Sequence, residues 1–482
     1  MTKITIRRLG LTLALLAGTR TALAQTLATM TPAVREYISV DAPIIALTHV
    51  RLIDGSGGAP RAGQTIILEQ GKITWVGDAA AARIPAGAKV LDLPGHTVIP
   101  GIVGLHNHTF YYTSAPRAVQ SNYTAPRLYL SQGVTTIRTT GSTSPYAELN
   151  LKANIERGEI PGPRMLVTGP YLVSPGSDMR LDLIGMHELK GPAQARKVVD
   201  YWAEEGAAWL KVYTQLSRET AAAIVDEAHK RGLKVTGHIC SIGFKEAAEL
   251  GFDGIEHGLI NDSEFDPDKR PDLCPAGASG RLAALDVAGD PRVRATISTM
   301  TARKVAMTST LAVYECAVPG RPEADPRVME VLSPDSRTEE LARRATISGQ
   351  AAGSPWPMVF KKAMEFERAF VAAGGLLAAG VDPAWSAPAG IGDQRNYELL
   401  VEAGFSPAVA IQIMTLNGAR VLGLDDRTGS VVPGKAADLV VIEGDPATHP
   451  AEIRNVRTVF RDGIGYDSAR LYAAVKGLVG IR

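Results

Sequence analysis

The chain has 482 residues, 45% of them hydrophobic and 21% charged, with 48 glycines and 30 prolines. That is ordinary globular composition, too long for one compact domain of average size and suited to a barrel of roughly 250 residues or more plus a second module. A formal net charge of +1 points away from nucleic acid and anionic membrane surfaces as partners.

The first 24 residues stand apart. Lys3, Arg7 and Arg8 precede an apolar run over 9–18, and Ala22-Leu23-Ala24 supplies small residues before Gln25. This is the layout of a secretory signal peptide, with an apolar run too short to span a bilayer. The segment carries Lys3, Arg7, Arg8 and Arg20 and no acid, so the exported chain has a net charge of 1 − 4 = −3. Arg7-Arg8 hints at a twin-arginine signal, although its flanks match poorly. The expectation is a periplasmic or secreted protein with no membrane attachment after cleavage. An oxidising compartment permits one disulfide among Cys240, Cys274 and Cys316. Cys274 and Cys316, both in loop regions, are the preferred pair, with three unpaired thiols as the alternative.

From 44 to 78 the chain reads as short β runs broken by glycine turns: Ile44-Ile45-Ala46-Leu47, Val50-Arg51-Leu52-Ile53, Thr65-Ile66-Ile67-Leu68 and Ile73-Thr74-Trp75-Val76. The texture returns at 437–442 and 456–460. This predicts a small β-sandwich module, residues 25–99 and 421–482, built from both chain ends. Between them, strand candidates fall at 98–106, 134–139, 165–168, 209–213, 234–238, 254–257, 305–310 and 376–382, with helical patterns clearest at 194–205 and 218–230. Eight strands alternating with helices predict an α/β fold, a (β/α)₈ TIM-like barrel over 100–420. Long intervals after Leu259 and Tyr314 predict extra helices or lids over the site.

In such a barrel the site gathers at the carboxyl ends of the strands. The first candidate strand closes on His106-Asn107-His108, whose imidazoles, two residues apart, point the same way and can reach one ion. Others end on His238, His257 and Asp382, and Lys211 lies among apolar neighbours in Trp209-Leu210-Lys211-Val212-Tyr213. Each feature alone is weak, since a lone strand histidine is more often a hydrogen-bonded core residue. Together they are strong: four of nine histidines fall at strand ends of one inferred barrel. His49, His96, His187, His229 and His449 receive no role. Imidazole and carboxylate suit Zn²⁺ and related divalent ions. Two cations roughly 3.5–4 Å apart need an anionic bridge. A lysine made neutral by an apolar site can react with CO₂ to give a carbamate with one oxygen for each metal.

The ordered motifs Pro100-Gly101-Ile102-Val103-Gly104-Leu105-His106-Asn107-His108, Gly133-Val134-Thr135-Thr136-Ile137-Arg138, Trp209-Leu210-Lys211-Val212-Tyr213, Gly237-His238, Gly254-Ile255-Glu256-His257-Gly258, Ala379-Gly380-Val381-Asp382, Thr415-Leu416-Asn417-Gly418-Ala419-Arg420 and Gly434-Lys435-Ala436-Ala437-Asp438-Leu439-Val440 resemble the amidohydrolase superfamily. The branch is that of imidazolonepropionase-related and prolidase-like dipeptidases, ochratoxinase-like enzymes included. The resemblance covers about residues 45 to 465. It implies that His106, His108 and Asp382 hold the more buried metal, that His238 and His257 hold the second, and that carboxylated Lys211 bridges them. It further implies that a metal-bridging hydroxide attacks the scissile carbonyl, with Asp382 as catalytic proton carrier and Tyr213 reaching the substrate.

There are departures. Gly104 stands where the family often has aspartate, Thr139 completes a Val-Arg-Asp-like motif, and Gly176-Ser177-Asp178 replaces Gly-Gly-His. A histidine often lies near the position of Gln394. None removes a metal ligand; the last two bear on the substrate. The resulting expectation is a homo-oligomeric, two-metal hydrolase, with zinc preferred, cleaving dipeptides or N-acyl amino acids in carboxypeptidase fashion, ochratoxin-type amides among them. The alternatives are a cyclic amidase, against which Lys211 argues, and an inactive secreted binding protein.

Overall fold

The computed structural model describes residues 27–115, 117–175, 186–321 and 325–481. The signal-peptide reading of residues 1–24 and the Gly176-Ser177-Asp178 departure lie outside the described residues. Among those described, no helix is long and apolar enough to cross a membrane.

The two chain ends meet in one nine-stranded sheet, not in two separately paired ones. Strands Ile38–Val40, Ile464–Asp467, Val456–Arg461, Leu439–Glu443, His96–Pro100, Ile44–Leu52, Arg61–Glu69 and Lys72–Asp78 follow in that order, with Lys89–Asp92 beside Ile44–Leu52. Side chains alternate across a strand, and here both faces are covered. Leu439 and Val441 join a small core with Val98, Leu47 and Phe460, whereas Val440 and Ile442 enter the main core with Ile99 and Val459. Burial on both faces explains the unbroken apolar run Leu439-Val440-Val441-Ile442.

The central strands are parallel: β1 (Ile102–Asn107), β2 (Val134–Thr139), β3 (Thr168–Val173), β4 (Trp209–Val212), β5 (Lys234–Gly237), β6 (Gly254–Glu256), β7 (Ala306–Ser309) and β8 (Leu377–Ala379). β1 and β2 pair in a three-stranded sheet with Arg164–Leu166, and β3 to β8 with His187–Glu188 beside β3 form a seven-stranded one. The ladders do not close into a single ring among the described residues. Backbone contacts nevertheless link the two sheets: Asp382 N–H donates to His106 O at 2.7 Å, and Ser142 N–H to Gly169 O at 3.1 Å.

Two strand expectations shift. The run at 98–106 divides at Gly101, because His96–Pro100 pairs with Leu439–Glu443 and β1 with β2. A Cβ at Gly101 would lie 2.1 Å from the Thr135 hydroxyl, so only glycine permits the crossing there. The strand expected at 165–168 is displaced to β3, because Arg164–Leu166 pairs with the other edge of β2. The helices expected at 194–205 and 218–230 are α1 (Pro192–Glu204) and α2 (Arg218–Lys230). Both bury residues at helical spacing, Ala195, Val198, Val199 and Trp202 in α1, and Ser217 caps α2 through Thr220 N–H at 3.3 Å. The long interval after Tyr314 holds α3 (Pro334–Gly349) and α4 (Trp356–Ala372).

The preferred disulfide is corrected: Cys240 bonds to Cys274, with Cα atoms 5.0 Å apart, and Cys316 is unpaired. Cys240 follows β5 closely, and the downstream loop folds back onto it. Ser263 Oγ donates to Cys240 O, and Lys269 Nζ to Ser241 O at 2.5 Å. Cys316 is only 1% exposed, within the main core.

Candidate metal centre

β1, β4, β5, β6 and β8 run parallel, so their carboxyl ends share one edge, and all five expected ligand segments come together there. His106 lies on β1, His108 just past it and Lys211 on β4; His238, His257 and Asp382 follow β5, β6 and β8. His106, His108, Lys211 and His257 are buried, His238 is half-buried, and the Asp382 side chain is 27% exposed at the floor of a cavity of about 340 Å³. A Cβ at Gly380 would sit 2.2 Å from the His106 backbone nitrogen, so glycine lets the end of β8 close onto β1. His257 and Asp382 hold left-handed backbone angles, φ +70° and +51°. Such angles are rare for residues other than glycine and gather at functional sites.

Asp382 is the hub. Its Oδ1 lies 3.2 Å from His108 Nε2 and 3.6 Å from His106 Nε2, and its Oδ2 lies 3.8 Å from His257 Nδ1. His106, His257 and Asp382 each offer a ligand atom within 4.8 Å of the others, close enough to hold one metal ion. The His238 ring centroid is 4.5 Å from that of His257. His108 Nδ1 is buried without a hydrogen-bond partner. Burial, reinforced by neighbouring positive charge, pushes His106, His238 and His257 well below the ordinary histidine range. Neutral imidazole is the form that binds metal. Burial also brings Lys211 down to about 8, against the pull of Glu256 and Asp382.

Tyr213 lines the cavity, with its ring 4.5 Å from that of His238 and edge-on to Tyr171 at 5.1 Å. Gln394 does not line it. That side chain is buried, donates to Gln132 O at 3.1 Å and accepts from Arg327 at 2.7 Å. His49 and His229 pair instead with Asp92 and Asp253.

Sequence reasoning assigned no role to a buried charge cluster beneath the ligands. Glu256 accepts from His106 Nδ1 at 2.8 Å and also from Arg138 and Thr236. Arg138 in turn donates to Leu105 O at 2.9 Å and lies over the Trp209 ring at 4.4 Å. Burial opposes charge on Glu256, but Arg138 and then Lys211 outweigh it and hold its carboxyl below the usual range. By bonding Nδ1, Glu256 turns Nε2 of His106 toward Asp382. His257 Nδ1 has a comparable partner in Thr310 Oγ1 at 2.8 Å. The available signal was a single charged residue inside each of two otherwise uncharged strands, β2 and β6.

Neutral imidazoles and a carboxylate gathered at the carboxyl ends of parallel strands define an α/β protein equipped for metal-assisted chemistry. The chain belongs to the amidohydrolase family, whose sequence model matches residues 97–269 and 391–464. A solved structure from Bifidobacterium longum, assigned as a prolidase, is 26% identical, with 89% of this chain and 98% of that one covered at a TM-score of 0.63. A Xaa-Pro dipeptidase with bound methionine is 20% identical, with coverages of 88% and 100% and a TM-score of 0.64, a likeness of fold. Adenine deaminase 2 of Jannaschia sp. is 39% identical over 69 residues, 14% of this chain, so the chain matches about 10% of that relative's length.

Proposed function

We propose that the chain is a two-metal amidohydrolase, on a (β/α)₈ barrel, that cleaves the C–N amide bond of dipeptides or N-acyl amino acids. The observation that carries this reading is Lys211: a lysine 1% exposed, lowered to about 8 by burial, beside three imidazoles that cannot accept a second cation cheaply. Its neutral amine is the form that takes up CO₂, and the anion so formed suits a bridge between metal ions. The donor set fits zinc or a related divalent ion: His106, His108 and Asp382 for one ion, His238 and His257 for the other, carboxylated Lys211 for both. Bound there, the ions supply an activated water near neutral pH and polarise the substrate carbonyl.

The chain's own groups carry the rest. Asp382, reachable from the cavity, accepts the proton of the attacking water and returns one to the departing nitrogen, because an amine leaves poorly unless protonated. Glu256 fixes the tautomer and direction of His106, and Tyr213 meets the substrate beside His238. Export with cleavage before Gln25 and assembly as a homo-oligomer complete the reading. The test is a hydrolysis screen of the metal-loaded protein against dipeptides, N-acyl amino acids, lactams and esters. Turnover of linear amides with a free carboxylate supports the proposal; turnover of lactams alone, or of nothing, overturns it.

A further inference from the structure

Aromatic residues make up 6% of the chain yet six of the thirteen residues lining the metal-centre cavity: Phe110, Tyr112, Tyr171, Tyr213, Tyr314 and Trp385. Composition alone would place fewer than one there, so the wall is a feature of this site. The rings of Tyr171, Tyr213 and Tyr314 lie 6.2, 4.5 and 5.4 Å from those of His108, His238 and His257, and Tyr112 and Trp385 meet edge to face at 6.1 Å and 77°.

Trp385 is built into its place. Its backbone holds φ +49°, a left-handed angle that a bulky side chain adopts only where its surroundings enforce it. Two neighbours do so: Trp385 N–H donates to Tyr112 O at 3.2 Å, and Trp385 O accepts from Tyr111 Oη at 2.5 Å. The Arg343 guanidinium backs the ring, 5.0 Å from its centroid. Arg343 is itself fixed by two 2.8 Å hydrogen bonds to Glu340, one helical turn earlier on α3. Glu340 also accepts from Ser386, the residue after Trp385, and from Ser114 at 2.5 Å. Trp385 packs partly against the main core and also lines the cavity; its strained backbone, held at both its N–H and its carbonyl, and the cation behind its indole make the ring a preorganised stacking surface.

We infer that the substrate carries an aromatic ring beside its scissile amide, and that Trp385, with Tyr112, selects for that ring by stacking. The scissile amide rests on the amide-hydrolase reading and is tested in a kinetic arm; the stacking of an aromatic ring on Trp385 stands apart from it. In that arm, kcat/KM is measured on the metal-loaded enzyme for N-benzoylglycine against N-acetylglycine, and for N-acetylphenylalanine against N-acetylglycine. At least one aromatic member should be preferred tenfold or more. That preference should fall at least tenfold in Trp385→Leu and be largely kept in Trp385→Phe, with thermal unfolding confirming that both variants fold. Ratios within threefold in the wild type, or a preference that Trp385→Leu leaves intact, overturn the inference. If no substrate turns over, the proposed function fails while the stacking role of Trp385 is still decided, by calorimetry with benzamide and acetamide. Tighter binding of benzamide that Trp385→Leu abolishes supports it, and equal binding of the two amides, or of benzamide by both proteins, overturns it.

Discussion

His106 and Glu256 share a hydrogen bond of 2.8 Å with their side chains 2% and 0% exposed. Removing the carboxylate charge therefore has two consequences that separate. Glu256→Gln leaves Arg138 as an uncompensated buried cation, at a cost of about 3–5 kcal/mol. It also weakens the orientation of His106, which lowers metal affinity by about 10–100-fold. Chelator titration followed by metal analysis reads the second effect, and thermal unfolding reads the first. A variant with wild-type melting temperature and metal retention would show that the cluster does not support the site.

Asp382 reaches both the histidines and the cavity, so its two roles call for two substrates. Asp382→Asn keeps the size and one ligand oxygen while removing basicity. Amide turnover should fall by about 10²-fold or more, and turnover of an ester with a good leaving group should fall less, because an alkoxide or phenoxide departs without prior protonation. The paired kcat/KM values, taken on samples of checked metal content, decide this. Equal losses at full metal occupancy would exclude Asp382 as the proton carrier.

Cys240 and Cys274 close a loop with a sequence separation of 34 residues. The chain-entropy argument gives about 4 kcal/mol for a loop of that size, so Cys274→Ser should destabilise the fold by about that amount under non-reducing conditions. Cys316, buried and with its thiol pushed up to about 12 by burial, should not react with a thiol reagent until the protein unfolds. A thiol titration reading zero for the native protein and one for the unreduced, unfolded protein is the expected result. Three reactive thiols after unfolding would contradict it.

Much of the site was legible because strand periodicity is local. His106 and His108 two residues apart, and single ligands at the ends of short apolar runs, can be read without knowing which strands touch. α2 was legible for the same reason, with Ser217 as its cap and Ala221, Ile224, Val225 and Ala228 on one face. What failed was long-range. The run Met165 to Val173 is broken only by Thr168-Gly169-Pro170, and no alternation in it says which part pairs with β2 and which with β4. The partner of Cys274 depends on how a loop returns to β5, which spacing does not encode. The Arg138–Glu256 pair joins β2 to β6, 118 residues apart, and only the closing of both parallel sheets on one centre brings the two together.

The proposed export makes a simple mass prediction. Lys3, Arg7, Arg8 and the Ala22-Leu23-Ala24 site call for cleavage before Gln25. Intact-mass measurement of periplasmic or secreted protein should begin at or near Gln25, and exported protein that still carries Met1 to Ala24 would refute this.

The central claim is that Lys211 serves as an anionic bridge between two metal ions. The most direct measurement is metal stoichiometry and amide hydrolysis on the same preparations of wild type, Lys211→Ala and Lys211→Arg. The account predicts two divalent ions per chain in the wild type, and loss of at least one ion and most activity in Lys211→Ala, with partial rescue by short carboxylic acids. Lys211→Arg should fail as well, because a guanidinium stays cationic. Full metal content and wild-type turnover in Lys211→Ala would contradict it.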